Sequence, residues 1–437
     1  MGTQPDQQYL HDVADINYMQ KVAIIGCKGI PARYGGFETL AENLVKRLGK
    51  KCQFVVYCSG ASYKKQPPTL MGAELKYLPL DANGIQSIPY DIWSMIHASR
   101  KADILLILGV SGCVFLPILK LFCKGKIYVN LDGMDWQRPK WGKFARAFLK
   151  FSETVAAKFA DQLIADNDAI HDYIWKYYGK DSFLVEYGGD NAQSELPEKS
   201  DSKISVVALH KHHSDQGLIN TGFDKYAIAV CRIEPENHIH VILEAFAQAN
   251  TLPLVFLGNW SNNEYGKDLR RRYRSNPNLL LLDPVFEPRK LFALRSNAEL
   301  YLHGHSSGGT NPSLVESMSL GLPVLAYDVV FNRATTENMA LYFDSTASLV
   351  GMLRDLGNLD LVANSLKMKE LAKRRYSWAA IADKYARLFE IESHFQPEEV
   401  EPPIADISSS DPDVLHQHKP ATAANAQQEY PDPNRQR

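Results

Sequence analysis

The residues best suited to chemistry are concentrated in the segment 303–316, which reads HGHSSGGTNPSLVE. Its start predicts the end of a strand, its glycine pair predicts a turn, and Asn311 with Pro312 is typical of the capped start of a helix. Free amides and the dipole at such a start attract anions. Glu316 falls about one turn inside, where its carboxylate can accept hydrogen bonds from a pair of ribose hydroxyls. A capped structural helix with a solvated Glu316 is the alternative, but the combination favours a binding site.

An arginine follows a second apolar run. Residues 227–230 predict a strand, and Arg232 comes just after it. Ligands of doubly wound sheets bind at the carboxyl ends of the strands, and the fixed fork of a guanidinium suits a pyrophosphate. The alternative is an ordinary surface charge.

A glycine-rich loop, 26–38, links a predicted strand at 22–25 to a helix and contains Gly35 and Gly36. Such loops let a ligand approach the backbone closely, although a plain turn has the same composition. A dinucleotide site is excluded, because the spacing is not G-x-G-x-x-G. The second strand also ends without the acidic residue that would hold a ribose.

Short apolar runs alternate with helical patterns, which predicts α/β architecture with parallel sheets. Expected strands of the first half are 22–25, 54–57, 104–108, 127–131, 162–165 and 183–186. Those of the second half are 227–230, 254–257, 279–282, 300–303 and 324–327. Two Rossmann-like, doubly wound domains facing each other across a cleft account for both series.

The sequence divides at changes of composition. The expected parts are an extension (1–20), a first Rossmann-like domain (21–190), a linker or insertion (191–223), a second Rossmann-like domain (224–377), a helix packing back towards the first domain (378–393) and a disordered Pro-rich tail (394–437). The tail has too few apolar residues to offset its chain entropy.

Composition excludes several classes. With 48 Lys and Arg against 50 Asp and Glu, the net charge of −2 excludes a globally basic nucleic-acid binder. The six cysteines lack metal-ligand spacing, which predicts no metal site and a reducing cytoplasm, and the polar start predicts no signal peptide.

The apolar run 104–119 is shorter than the roughly 20 residues of a membrane span and is broken by glycines and a proline. A buried strand, turn and helix explain it better.

The segment 136–150, WQRPKWGKFARAFLK, combines five basic residues with four aromatic ones and no acid. That composition suits peripheral contact with the inner face of an anionic membrane, or with a lipid diphosphate. An amphipathic helix packed on the first sheet is an equal alternative.

Five segments together resemble the retaining glycosyltransferases of family 4, and most closely the bacterial rhamnosyltransferases of capsule and O-antigen assembly. They are 26–38, 131–136 (LDGMDW), 187–190 (YGGD), 232–237 (RIEPEN) and 308–316 (GGTNPSLVE). The resemblance implies a GT-B fold and a hexosyltransferase-type enzyme that moves a sugar from a nucleoside diphosphate to a glycan acceptor, which is expected to be lipid-linked. It also implies that the first domain (21–190) holds the acceptor and the second (224–377) the nucleotide sugar. The most specific expectation is rhamnose from dTDP-rhamnose, with no metal or cofactor.

Carried over by motif, the resemblance also implies site residues. Glu316 would bind the donor ribose, the amides of Leu314 and Val315 with Arg232 would hold the pyrophosphate, and the base would lie near 283–286. The remaining donor-site residues would be Gly35, Gly36, Asn237, Gly308, Gly309, Thr310 and Asn311. The catalytic set would be Asp132, Arg232 and Glu316.

The sequence departs from the family pattern at three places. Gly308 stands where a first glutamate is common, Asn237 and His238 stand where a lysine is common, and Asp132 stands where a histidine is common. Asp132 is expected to orient the sugar or to take the acceptor proton, and the alternative is a structural aspartate that caps the turn at Gly133. Two other functions stay open: a nucleotide-sugar 2-epimerase, and a non-catalytic nucleotide-sugar-binding assembly protein.

Overall fold

Two β-sheets form the framework of the computed structural model, which describes residues 19–32, 35–138, 141–193 and 221–391. The first sheet has eight strands in the order β3-β4-β2-β1-β5-β6-β7-β8, all parallel except β3. Its strands are β1 (Lys21–Ile25), β2 (Gln53–Ser59), β3 (Thr69–Leu70), β4 (Ala73–Leu78), β5 (Ile104–Leu108), β6 (Lys126–Asn130), β7 (Gln162–Ala165) and β8 (Ser182–Leu184). Its helices are α1 (Gly36–Leu48), α2 (Ser87–Ala98), α3 (Leu116–Leu119), α4 (Lys143–Phe159) and α5 (Asp168–Tyr178).

The second sheet has six parallel strands in the order β11-β10-β9-β12-β13-β14. They are β9 (Ala227–Val230), β10 (Leu254–Leu257), β11 (Leu279–Leu282), β12 (Leu300–His303), β13 (Val324–Tyr327) and β14 (Leu341–Phe343). The helices that follow are α6 (Ile239–Ala249), α7 (Glu264–Tyr273), α8 (Pro288–Ser296), α9 (Pro312–Ser319), α10 (Val330–Thr335), α11 (Thr346–Arg354), α12 (Leu361–Arg375) and α13 (Trp378–Leu388). The α/β architecture with two doubly wound sheets is the predicted one.

The strands that sequence patterning missed are those without a continuous apolar run. β4 reads AELKYL, buries only Ala73, Leu75 and Leu78, and pairs with the short edge strand β3. β14 is three residues long, too short to stand out. The last strand of the first sheet ends at Leu184, not at 186 as predicted.

The apolar run 104–119 folds as expected from its glycines, as buried β5, a turn and the short helix α3. Across the described ranges, no helix has both the length and the apolarity to span a bilayer. Positions 1–18, 194–220 and 392–437 lie outside these ranges, and with them nearly all of the expected extension, most of the linker and the tail. The predicted domain boundaries stay predictions.

The order of each sheet reverses next to its first strand, between β1 and β5 and between β9 and β12. Loops that leave neighbouring strands in opposite directions open a crevice at such a point. The glycine-rich loop follows β1, Arg232 follows β9, and the segment 303–316 follows β12. The topology thus places all three predicted motifs at switch points.

The last helices tie the two sheets together. α13 packs on α1 of the first sheet. Glu186, buried just after β8, pairs with Arg375 of α12 at 2.7 Å and also with Lys384 of α13. A Cβ on Gly188 would lie 2.4 Å from the Trp378 ring, so the crossing requires glycine there.

Candidate active site between the two sheets

The start of α9 is capped as the sequence predicts. Asn311 Oδ1 accepts a hydrogen bond from the Ser313 amide at 3.0 Å. The amides of Leu314 and Val315, expected to hold a pyrophosphate, instead donate to the Asn311 carbonyl at 3.1 and 3.2 Å. The physical reason is that this carbonyl closes the first turn of the helix, so both amides are occupied in this structure.

The loop before α9 lies directly against the first domain. A Cβ on Gly309 would be 1.7 Å from Asp166 Oδ1, and a Cβ on Gly133 would be 2.4 Å from Gly308 Cα. The Thr310 hydroxyl donates to the Asp166 carbonyl. Gly133 and Gly309 therefore permit a close approach of the carboxyl edges of the two sheets, because a side chain at either position would collide with the opposite edge.

Glu316 faces a partner that sequence reasoning missed. Its carboxylate pairs with the buried Arg295 of α8 at 2.7 Å and accepts a hydrogen bond from Asn191 at 3.0 Å. Arg295 lies 21 residues earlier in the chain, so no local spacing signals the pair. The carboxylate is positioned by these two groups rather than solvated.

Arg232 is exposed at the edge of the second sheet. Within the described ranges, no residue forms an ion pair or side-chain hydrogen bond with its guanidinium. Asn237 was expected to contact the donor; it is buried and its side-chain amide donates to the Arg232 carbonyl at 2.7 Å. This amide is needed to satisfy a backbone oxygen in a tight turn, so Asn237 positions Arg232.

Asp132 follows β6 and adopts the left-handed conformation, with φ of 60°. Burial, reinforced by the negative charge of Asp135, raises its pKa to about 6, while Arg138 and Arg232 oppose that rise. Arg232 therefore acts electrostatically on Asp132 from the other domain. The Asp132 carboxylate predominates at neutral pH yet lies close to its protonation point, as a general base requires.

Two further residues of this edge were not predicted as site residues. Asp166 follows β7, its Oδ1 is buried without a hydrogen-bond partner in the described part of the chain, and burial raises its pKa well above the usual range. Arg138 is nearly buried and pairs with Asp135 at 2.7 Å. Asp166 had the same signal as Arg232, a polar residue directly after a strand; Arg138 had been assigned to the membrane segment.

The glycine-rich loop of the first domain reaches the second domain. Gly35 has φ of 143°, a conformation that favours glycine, and a Cβ there would collide with Glu38. A Cβ on Gly36 would lie 3.6 Å from Pro312, the first residue of α9. The start of α1 and the start of α9 are therefore neighbours across the cleft.

Two histidines line the base of the second-domain loop. His303 and His305 stack with ring centroids 4.5 Å apart, and both are buried. Burial lowers the pKa of His303 to about 3 and that of His305 well below its ordinary value. Both rings are neutral at physiological pH, so the positive charge of this edge comes from Arg232.

The remaining predicted positions lie farther out. Asp283, in the expected base-binding stretch, pairs with Arg270 at 2.9 Å on the surface, and Phe286 is exposed. In the segment 136–150, Lys150 contacts the Trp136 ring at 4.6 Å and pairs with buried Glu153. The described ranges contain no group of three or more His, Cys, Asp or Glu residues that could hold a metal ion.

Two family models match the sequence, one for each sheet. Residues 19–190 match a domain of unknown function, DUF1972. Residues 214–344 match glycosyl transferases group 1. The first match includes Asp132 and the second includes Arg232.

The fold is that of known glycosyltransferases. Sucrose-phosphate synthase from Thermosynechococcus elongatus superposes with a TM-score of 0.65 at 14% identity, covering 85% of this chain and 98% of that one. HepE from Anabaena, solved with UDP, gives 0.64 at 13% identity over 85% and 100%. The catalytic domain of starch synthase IV from Arabidopsis thaliana, bound to ADP and acarbose, gives 0.61 at 12% identity over 85% and 99%. No protein of curated function matches the sequence significantly.

At these identities the superpositions show the fold, which is GT-B as the motifs predicted. The group 1 match over the second sheet adds the class of activity. The protein is an enzyme of the glycosyltransferase class.

Proposed function

We propose that this enzyme transfers a sugar from a nucleoside diphosphate to a glycan acceptor with retention of configuration, and that the donor is dTDP-rhamnose. The observation that carries the proposal is that Arg232, whose guanidinium bonds no side chain among the described residues, and the carboxyl group of Asp132 influence each other electrostatically across a cleft whose walls meet at Gly308 and Gly309. One wall supplies charge for a leaving diphosphate, and the other supplies a carboxylate for a hydroxyl proton.

Each residue has a role in this proposal. Arg232 neutralises the diphosphate as the glycosidic bond breaks, which is the largest electrostatic requirement of the reaction. Glu316, held by Arg295 and Asn191, accepts hydrogen bonds from the donor ribose. The glycines of the loop leave room for the sugar, and Asp132 orients it or accepts the acceptor proton. These groups perform the transfer without a metal or cofactor.

The acceptor in this proposal is a lipid-linked glycan, so the enzyme works as a peripheral protein at the inner face of the membrane. The resemblance to capsule and O-antigen rhamnosyltransferases supports this choice. UDP and UDP-glucose occupy HepE in its solved complexes, which makes uridine nucleotides the first competitors to include in a binding test.

Calorimetric titration with UDP, GDP, dTDP and their sugars tests the donor site directly. We expect one nucleotide to bind selectively and its binding to weaken in Glu316→Gln, which keeps the shape of the side chain beside Arg295. Selective binding of uridine rather than thymidine nucleotides would overturn the rhamnose assignment while leaving the glycosyl transfer intact.

Turnover assays separate the proposed activity from its rivals. A transferase releases the nucleotide only in step with acceptor consumption, whereas an epimerase produces a new sugar without any acceptor. Nucleotide binding without either product would favour the non-catalytic alternative.

A further inference from the structure

Helix α4 carries two bulky apolar side chains on its outer face. Phe144 and Phe151 are 94% and 60% exposed. They are seven residues apart, which places them two turns apart on the same side of the helix. Lys143 and Lys158 are exposed on this helix as well. Exposed phenyl groups of this size on one helix face require an explanation, because monomeric soluble proteins seldom cluster them.

The turn at α3 extends the apolar surface. Ile118, Leu121 and Phe122 are exposed, Leu121 to 83%. α3 packs on α4, and Lys120 pairs with Asp161, just beyond the end of α4. The exposed apolar side chains of these two packed elements, Ile118, Leu121, Phe122, Phe144 and Phe151, are called here the α3–α4 face.

Lysines predominate among the exposed charges around this face. Among the described residues of 116–160, every exposed charged side chain is a lysine: Lys124, Lys126, Lys143 and Lys158. Two exposed acids lie close by and are already paired, Asp161 with Lys120 and Glu390 with Lys126. The acids of the stretch itself, Asp132, Asp135 and Glu153, turn towards the cleft or the core. Apolar side chains beside the lysines of α4 complement an interface of acyl chains and anionic headgroups.

We propose that the α3–α4 face docks on an anionic lipid surface. α4 begins on the carboxyl-edge side of β6, the edge that carries Asp132, so docking would hold the cleft beside the membrane. The proposed transfer to a lipid-linked acceptor gives this docking its purpose, and in that respect the inference rests on the proposed function. The physical case for lipid binding is independent of the reaction.

The docking surface differs from the basic segment 136–150 taken as a whole. Lys150 and the Trp136 ring contact each other, and Arg138 is nearly buried beside Asp135. These side chains contribute to the packing of α4 and to the cleft. From that segment only its exposed members, chiefly Lys143 and Phe144, belong to the docking surface or its lysine margin.

A second copy of the chain is a less suitable occupant. A symmetric dimer through this face would bring the same patch together from both subunits, and lysines would meet lysines. Anionic lipid satisfies the apolar and the charged groups together.

Vesicle flotation of the full-length enzyme, without donor or acceptor, tests the proposal. We expect wild type to float with vesicles of phosphatidylcholine and phosphatidylglycerol but not with phosphatidylcholine alone, and added salt to release it. Phe144→Ser/Phe151→Ser should lower the partition coefficient roughly ten-fold or more, because two phenyl groups no longer enter the interface.

The matched control is Val362→Ser/Leu366→Ser on α12, which removes two apolar side chains that are 73% and 64% exposed elsewhere. This variant should float as wild type does. Lys143→Gln/Lys158→Gln supplies a test that does not depend on the phenylalanine variant folding; it should weaken binding to anionic vesicles several-fold.

Equal flotation of wild type and both α4 variants would overturn the proposal. So would self-association in sedimentation experiments that the phenylalanine variant abolishes while vesicles stay unbound. An assay of sugar transfer to a water-soluble acceptor analogue distinguishes the docking proposal from the proposed function. Vesicle binding without transfer would refute the proposed function alone, and transfer without vesicle binding would refute the docking surface alone.

Discussion

The carboxyl edges of the two sheets differ in the chemistry that they present to the same cleft. The first edge offers Asp132 and Asp166, carboxyl groups whose pKa values burial raises. The second offers Arg232 and the glycine loop, and among its acids Glu316 is paired with Arg295. One edge is suited to protons and hydroxyl groups and the other to anions. Transfer from a phosphate donor to a hydroxyl acceptor needs both kinds of edge.

The largest expected effect comes from removing the cation of the second edge. Arg232→Ala should lower turnover roughly 100- to 1,000-fold, because the leaving diphosphate loses its charged partner. Stability should change little, since the side chain is exposed. Steady-state kinetics with a saturating acceptor measure the effect.

Arg232→Lys is the matched variant, since it keeps the charge but loses the planar fork. It should recover part of the lost turnover. Turnover in Arg232→Ala equal to wild type would show that the second edge does not supply the charge, and the contrast between the edges would fail.

The second-largest effect is expected from disrupting the contact between the carboxyl edges of the two sheets. In Gly309→Ala the new Cβ would collide with the Asp166 carboxyl group, so either the Asp166 side chain is displaced or the two edges separate. We expect turnover to fall roughly 100-fold, as a displacement of about 1 Å can cause. Single-turnover kinetics should show the loss.

The control for this change is Gly351→Ala on α11, where the added Cβ meets nothing within 4 Å. It should leave turnover unchanged. Asp166→Ala added to Gly309→Ala removes the colliding oxygen and should restore part of the activity. If the double variant is no better than Gly309→Ala alone, the collision is not the cause.

Glu316 tests whether the second edge binds the nucleoside as well as the phosphate. Glu316→Gln should weaken nucleotide binding roughly ten-fold, since an amide replaces one charged acceptor of a ribose hydroxyl. Calorimetry measures the affinity. The matched variant is Arg295→Gln, which removes the partner but keeps the carboxylate; an identical loss in both would indicate that only their ion pair matters.

The two edges also differ in how much of them the sequence revealed. The five predicted strands of the second half and the Asn311 cap follow from short-range patterns, and the structure has them at the predicted positions. The Glu316–Arg295 pair and the contact of Gly309 with Asp166 join residues that are distant in the chain. Such contacts depend on how elements pack, which no local pattern specifies. The same reason explains why Arg138 was assigned to a membrane segment although it lies beside Asp135.

The smallest expected effect is a pH dependence of turnover, which tests the role of the carboxyl group that the first edge presents to the cleft. The pKa of Asp132 is raised to about 6, so its carboxylate forms as the pH rises through about 6. If the carboxylate accepts the acceptor proton, turnover should be about half-maximal near pH 6 and fall roughly ten-fold per unit below it. Acid unfolding through this group is not an alternative cause. A carboxyl whose pKa is higher in the folded than in the unfolded state stabilises the fold as the pH falls.

Asp132→Asn should therefore remove the acid limb of the profile along with most of the activity. Asp91→Asn is the control, because Asp91 is buried with a pKa raised to about 8 and bonds only the Gly112 amide among the described residues. An acid limb that persists in Asp132→Asn would assign the titration to another group and leave Asp132 with a purely structural role at the turn before Gly133.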